Sequence, residues 1–367
     1  MTVVGSLARI FHVADPSREV EELRRQMAQI DTQILSLLDK RARAARGIFE
    51  LRKEQPATLP ATDRAAIREL ISLSNGDMPA QPLQETFRTI HAACLALELP
   101  VRVSFVGPEG GFGHAAAQAR FGHTSWLKAV ETPHGAVDDV ARKAAEFAVV
   151  PFETSAESPV RSTVDALVAS ELRIVEMQEV PVDLHVYNRT GSLGDVLRLV
   201  ATQADRSSCR RFLREIAESA EIADVRTPFL ACQMAVDDGA VGAVARQDVA
   251  EPLGLRIAQS SVLDEGPSQM RYAVVGTRPS GRTERDLTLF IFGVDAALGA
   301  LSRALKVLTD RGIDLKRIQS YPVRAEGHAY LFCAESTGHF TDRHIVMGFE
   351  EIRRSARFFK LLGSYPG

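Results

Sequence analysis

The chain has 367 residues, 45% of them hydrophobic and 25% charged, with a formal net charge of −3 and a sequence pI near 6.3. That length suits two or three domains with buried cores, and the near-neutral balance excludes the basic footprint of a nucleic-acid or anionic-membrane binder. Cys94, Cys209, Cys232 and Cys333 are scattered without CxxC or Cys/His spacing, so they read as reduced thiols, not as a disulfide framework or a zinc site. No leader pattern opens the chain and no apolar run reaches the length of a membrane span. The expectation is a cytoplasmic, soluble protein without metal or cofactor.

From about Glu19 to Lys53, Leu23, Met27, Ile30, Ile34, Leu37, Leu38 and Ile48 fall mostly at helical spacings. A helix this long points to a bundle or an intertwined dimer. After EQPATLPAT come helices from about Asp63 to Leu73 and Leu83 to Glu98, which makes residues 1–100 an all-α domain. Arg41 and Arg52 are eleven residues apart, close to three whole turns, so they share a face; Arg24 lies roughly a quarter-turn round. Most helical arginines are solvated, but an arginine beside an apolar seam needs an anion, and a dicarboxylate would supply one.

Residues 101–279 alternate strand-like and helix-like segments, which predicts an α/β domain of two halves around a cleft. Its opening, VRVSFVGPEGGFGHAAA, reads as strand, glycine turn and helix N-terminus, suited either to a carboxylate or phosphate or simply to a tight turn. Gly110 and Gly111 sit at that seat. His114 is a candidate acid beside it, with capping or packing as the commoner role. AVVPFETSAESP gives a strand and a polar turn carrying Glu153, Thr154 and Ser155 before another helix. After the polar linker TRPSGRTER, residues 285–367 read as βαββαβ, the ferredoxin-like α+β order.

The run EELRRQMAQIDTQILSLLDKRARAARGIFELRKE, the later TDR and the helix ending LALE resemble the all-helical chorismate mutases. The resemblance implies that Arg24, Arg41 and Arg64 grip the carboxylates of chorismate, with Arg24 reaching across a homodimer. Arg52 stands where the family usually has a lysine at the ether oxygen. Glu98 stands where a glutamine or glutamate donates to the same atom, and a glutamate must be protonated to donate. Ala65 replaces a glutamate of the pattern.

FVGPEGGFGHAAA, AVVPFETS and PSQMRYAVV resemble, in order, three motifs of the prephenate dehydratase domain. This implies a prephenate-like acid held near Gly110, Gly111, Glu153, Thr154, Ser155, Met270 and Arg271. The departures cluster there. Met270 replaces the threonine of a TRF motif, while Arg271 and the aromatic Tyr272 keep their places. Thr154 replaces an asparagine, Gly111 and Gly113 replace hydroxyls, and Leu184 replaces a histidine, with His185 one place along. ATQADRSSC lacks the family's Ser-His-Pro-Gln run, and TPFLA lacks its small hydroxyl pair. The last domain resembles ACT modules. Gly299, Ala300 and Leu301 fit that pattern, but the phenylalanine-sensing ESRP reads Gln319, Ser320, Tyr321, Pro322, which favours a dimerisation module.

This order of domains is that of the bifunctional P-proteins. A thioether cannot donate a proton, and losing a positioned donor costs about two to four orders of magnitude. The leading expectation is therefore decarboxylation of prephenate without aromatisation, as prephenate decarboxylases do, with the mutase domain supplying prephenate. A dehydratase making phenylpyruvate and a binding protein without turnover are the alternatives.

Overall fold

The computed structural model describes residues 16–52, 64–122, 125–154, 160–264, 268–295, 297–322 and 330–367. Two compact units emerge, Met1–Glu54 and Gln55–Gly367. In the first, α1 (Pro16–Arg52) runs for 37 residues. Good helix formers fill it, and its proline sits at the first position, where a missing N–H is harmless. Leu23, Met27, Ile30, Ile34 and Leu37 are all exposed. A lone helix cannot bury its own apolar stripe, and most helical stability comes from packing such a face.

The second unit opens with α2 (Arg64–Ser72) and α3 (Ala80–Glu98), which pack on each other. Both therefore share a compact unit with the chain that follows, not with α1.

The α/β region has two lobes. Lobe 1 begins with β1 (Arg102–Val106), α4 (Phe112–Phe121), β2 (Trp126–Val130), α5 (Pro133–Ala141), β3 (Phe147–Glu153), α6 (Arg161–Ala169) and β4 (Arg173–Val182). The chain then crosses to lobe 2, which holds β5 (His185–Asn188), β6 (Arg198–Ala201), α7 (Gln203–Ser208), α8 (Arg210–Ile216), β7 (Glu221–Asp224), α9 (Pro228–Asp237), β8 (Val241–Ala245), α10 (Gln247–Ala250) and β9 (Arg256–Gln259). It returns as β10 (Ser268–Gly276), inserted between β3 and β4 and antiparallel to both. The sheet orders are β2-β1-β3-β10-β4 and β7-β6-β8-β5-β9. Central strands such as β3 and β8 are near-continuous apolar runs because helices cover both faces.

The C-terminal region contains β11 (Asp286–Val294), α11 (Ala300–Asp310), β12 (Leu315–Pro322), β13 (Tyr330–Thr337), α12 (Arg343–Ser355) and β14 (Phe358–Pro366). Its four strands form an antiparallel sheet in the order β12-β13-β11-β14. One face packs on α11 and α12 through Phe290, Phe292, Leu308, Ile345 and Phe349. The other joins lobe 1: Leu289, Ile291, Leu331, Cys333 and Tyr365 share a core with Val137, Val164 and Leu167. At this junction Gly363 takes φ +151, and a Cβ built on it would lie 2.0 Å from the Ile174 carbonyl oxygen of β4. Gly363→Ala is therefore expected to cost about 2 kcal/mol or more, from backbone strain and overpacking. Urea denaturation checks this, and a loss under about 0.5 kcal/mol would contradict the close approach.

Candidate active site between the two lobes

The glycine loop after β1 is built to approach lobe 2. Gly110 takes φ +80, a conformation that disfavours any side chain. Its N–H donates to His114 Nδ1 at 3.0 Å, and the His114 ring stacks on Phe105 with centroids 5.0 Å apart. His114 thus braces the loop. A Cβ on Gly110 would touch the Phe229 backbone nitrogen and the Val249 side chain, each at 3.5 Å, so lobe 1 meets α9 and α10 of lobe 2 here. Gly111 is the N-terminal cap of α4 and has no side chain to bond the first turn.

Strand alternation divides β10 between two environments. Met270 and Tyr272 are buried in the core formed with Val103, Phe105, Ala116 and Ala117, on the α4 side of the sheet. The Tyr272 ring lies 3.5 Å from where a Gly113 Cβ would stand, which sets it beside the glycine loop. Burial pushes its phenol well up against the opposing pull of the Arg246 charge, so the phenol keeps its proton at neutral pH.

Arg271, expected to contact substrate, makes its side-chain hydrogen bonds toward the C-terminal sheet. Adjacent residues of a strand point to opposite faces, and its guanidinium turns from Met270 toward the C-terminal sheet. Nη1 donates to Glu153 Oε1 at 3.2 Å, and Nη2 donates to Glu335 Oε1 at 2.6 Å and to Tyr365 Oη at 3.0 Å. Tyr365 in turn donates to Glu335, and Arg317 bonds the second Glu153 oxygen at 2.5 Å. Glu153, also expected at the substrate, is thereby held between two arginines. Burial works against the Arg271 charge, but the bond to Glu335 and the neighbouring acids outweigh it and raise the guanidinium above its ordinary value. Thr154 is half-buried just past β3, and Ser155 lies outside the described residues.

Lobe 2 contributes helix starts and one cation. Thr202 caps α7, accepting from the Asp205 N–H at 3.2 Å and donating to Asp205 Oδ2 at 2.6 Å. Thr227 caps α9, accepting from the Leu230 N–H at 3.0 Å. Leu184 is core, while His185 accepts from the Ser261 N–H at 3.1 Å, so the one-residue shift does turn the imidazole to the other face. Arg246, directly after β8, lies over the Phe112 ring of lobe 1 at 5.1 Å. Sequence reasoning passed over Arg246; the signal was a lone cation ending an otherwise apolar strand.

The other expected site residues lie elsewhere. Arg24 is exposed and Arg41 half-buried on α1, and Glu98 is half-buried at the end of α3. Arg52 and Arg64 occupy helix ends, and their side chains lie outside the described residues. In the C-terminal region Gly299 takes φ +74 before α11, Ala300 and Leu301 pack partly on its core, and Ser320 is exposed on β12.

Comparison with known proteins agrees with this architecture. The family model described as chorismate mutase type II matches residues 23–99, and that described as prephenate dehydratase matches residues 103–280. The bifunctional chorismate mutase/prephenate dehydratase of Aquifex aeolicus is 30% identical over 354 residues, spanning 95% of this chain and 98% of that protein. Its counterpart from Neisseria gonorrhoeae is 29% identical, over 95% of this chain and 99% of that protein. Among solved structures, the prephenate dehydratase of Arthrobacter aurescens in complex with L-Phe superposes with a TM-score of 0.62 at 27% identity, covering 73% of this chain and 90% of that one. With a 30% identical relative matched over nearly its full length, the chain belongs to the bifunctional chorismate mutase/prephenate dehydratase family.

Proposed function

We propose that this protein rearranges chorismate to prephenate and then converts prephenate to phenylpyruvate in the cleft between the lobes. The observation that carries the second step is the Tyr272 phenol. It shares a strand face with Met270 and borders the glycine loop, so it offers the proton that a thioether cannot. As the ring carboxylate leaves as carbon dioxide, the electrons of its C–C bond enter the ring π-system and break the bond to the ring hydroxyl. That hydroxyl takes the Tyr272 proton and departs as water, and solvent reprotonates the phenol. The first turn of α4, which follows the Gly111 cap, supplies backbone N–H groups for a carboxylate.

For the first step, the family pattern assigns Arg24, Arg41 and Arg64 to the carboxylates of chorismate, and Arg52 and Glu98 to its ether oxygen. Preorganised charge suffices, since a pericyclic step needs no nucleophile. A second copy of the chain would cover the exposed stripe of α1 and supply Arg24. Residues 1–100, 101–279 and 285–367 serve as mutase, lyase and ACT-like modules, the last carrying Gly299, Ala300, Leu301 and Ser320 at an interface between copies.

One observation favours a second reading. Met270 is buried in the core of lobe 1 beside Tyr272, at the position where the family pattern has a hydroxyl. If Tyr272 does not reach the ring hydroxyl, the diene takes its proton on carbon, and decarboxylation proceeds without aromatisation. Incubating the protein with chorismate and with prephenate, followed by chromatography and ultraviolet spectra, tests both steps. Phenylpyruvate from either substrate is the expected product. A non-aromatic, decarboxylated product transfers the conclusion to the second reading, and recovery of both substrates unchanged removes both.

A further inference from the structure

The cleft holds a cation that no sequence motif picked out. Arg246 follows β8, whose five residues are all buried, and its side chain is 11% exposed. Asp248 satisfies one edge of the guanidinium, with Nε to Oδ1 and Nη2 to Oδ2 both at 2.9 Å. Phe112 of lobe 1 lies beneath it. Nη1 is buried and meets no hydrogen-bond acceptor among the described residues. Asp205 and Tyr272 both feel the Arg246 charge, which draws their proton affinities down against the burial that raises them.

A guanidinium carries five donors in a planar fork, and two of its edges can each take a carboxylate. A clamp between Arg246, Asp248 and Phe112 uses one of them. Leaving a charged donor buried and unbonded is costly, so the second edge requires an anion that enters between the lobes. The neutral Tyr272 phenol is near enough to feel this charge, and the Gly110 turn faces α9 and α10 from lobe 1.

We infer that Arg246 is the carboxylate anchor of the cleft, binding through its Nη1 edge one carboxylate of a cyclic dicarboxylic acid whose ring lies by Phe112 and Tyr272. An acid held by Arg246 in lobe 2 and by the first turn of α4 in lobe 1 ties the lobes together around the reacting ring. The anchor rests on the reading of this cleft as a prephenate site. It adds to that reading a binding residue that positions the substrate without donating the proton.

Arg246→Met and Arg246→Lys in the full-length protein, titrated with prephenate by calorimetry and assayed for its consumption, test the inference. Arg246→Met should raise Kd and KM about 10- to 100-fold while kcat falls less than about threefold. Arg246→Lys should recover part of the affinity, since it keeps the charge and loses the fork. A purely structural clamp would lower the thermal midpoint and leave KM unchanged, and a Kd within twofold of wild type for Arg246→Met overturns the anchor. If Arg246→Met does not fold, an unchanged Kd for Arg246→Lys overturns it instead. Turnover by wild type with unaltered binding by the variants removes the anchor and spares the proposed function. Binding by wild type without turnover, lost on substitution, does the reverse, and no binding to wild type removes both.

Discussion

Tyr272→Phe should slow formation of phenylpyruvate from prephenate by about two to four orders of magnitude, the usual worth of a positioned proton donor. The ring itself keeps its place in the core of lobe 1 with Phe105 and Ala116, so the substitution removes a hydroxyl and little packing. Chorismate consumption serves as the folding control, because it depends on residues of the helical segment. Met270→Thr provides the cross-check. Introduced into Tyr272→Phe, it restores a hydroxyl two residues away on the same face of β10 and should recover phenylpyruvate by about tenfold or more. A Tyr272→Phe protein as fast as wild type would exclude the phenol as donor. If wild type yields only a decarboxylated, non-aromatic acid and Met270→Thr alone switches on phenylpyruvate, the second reading of the cleft is correct.

Arg271→Met should cost about 3–5 kcal/mol of stability, the range expected when one member of a buried ion cluster is removed. The reason lies in what remains. Glu335 has a side chain 4% exposed and Glu153 one 12% exposed, and both would depend on Arg317, which is half in solvent. The Tyr365 hydroxyl still donates to Glu335, but one hydrogen bond does not neutralise two buried carboxylates. Urea denaturation measures the loss. Adding Glu335→Gln to Arg271→Met should return part of it, since the amide needs no counter-charge, and that non-additivity identifies the pair as coupled. A loss under about 1 kcal/mol would show that the cluster is not what fastens the C-terminal sheet to lobe 1. Because Arg271 lies between Met270 and Tyr272, the strand that carries the proposed donor is tied directly to the C-terminal region.

The Met-Arg-Tyr run shows how far local reasoning reaches. Period-two alternation separates Arg271 from Met270 and Tyr272 and turns it to the other face of β10. What no local rule supplies is the occupant of the other face. Glu153 is 118 residues away in sequence and Glu335 is 64, and the helical or strand period says nothing about pairings at that range. The same holds for Glu153, which reads as a polar turn residue until β3 and β10 are paired.

The amino-acid sequence by itself determined the family, the helical start, the α/β character of the middle region and the βαββαβ order of the last one, because motifs, turn residues and hydrophobic periods are local properties of the chain. Only the tertiary structure decided that His114 braces the glycine loop, that Arg271 and Glu153 face the C-terminal sheet, and that Arg246 of one lobe meets Phe112 of the other. Those outcomes depend on which distant surfaces are desolvated together. Charge pairing gains its strength only in that shared burial, so these contacts carry no signature until the lobes and the C-terminal sheet are assembled.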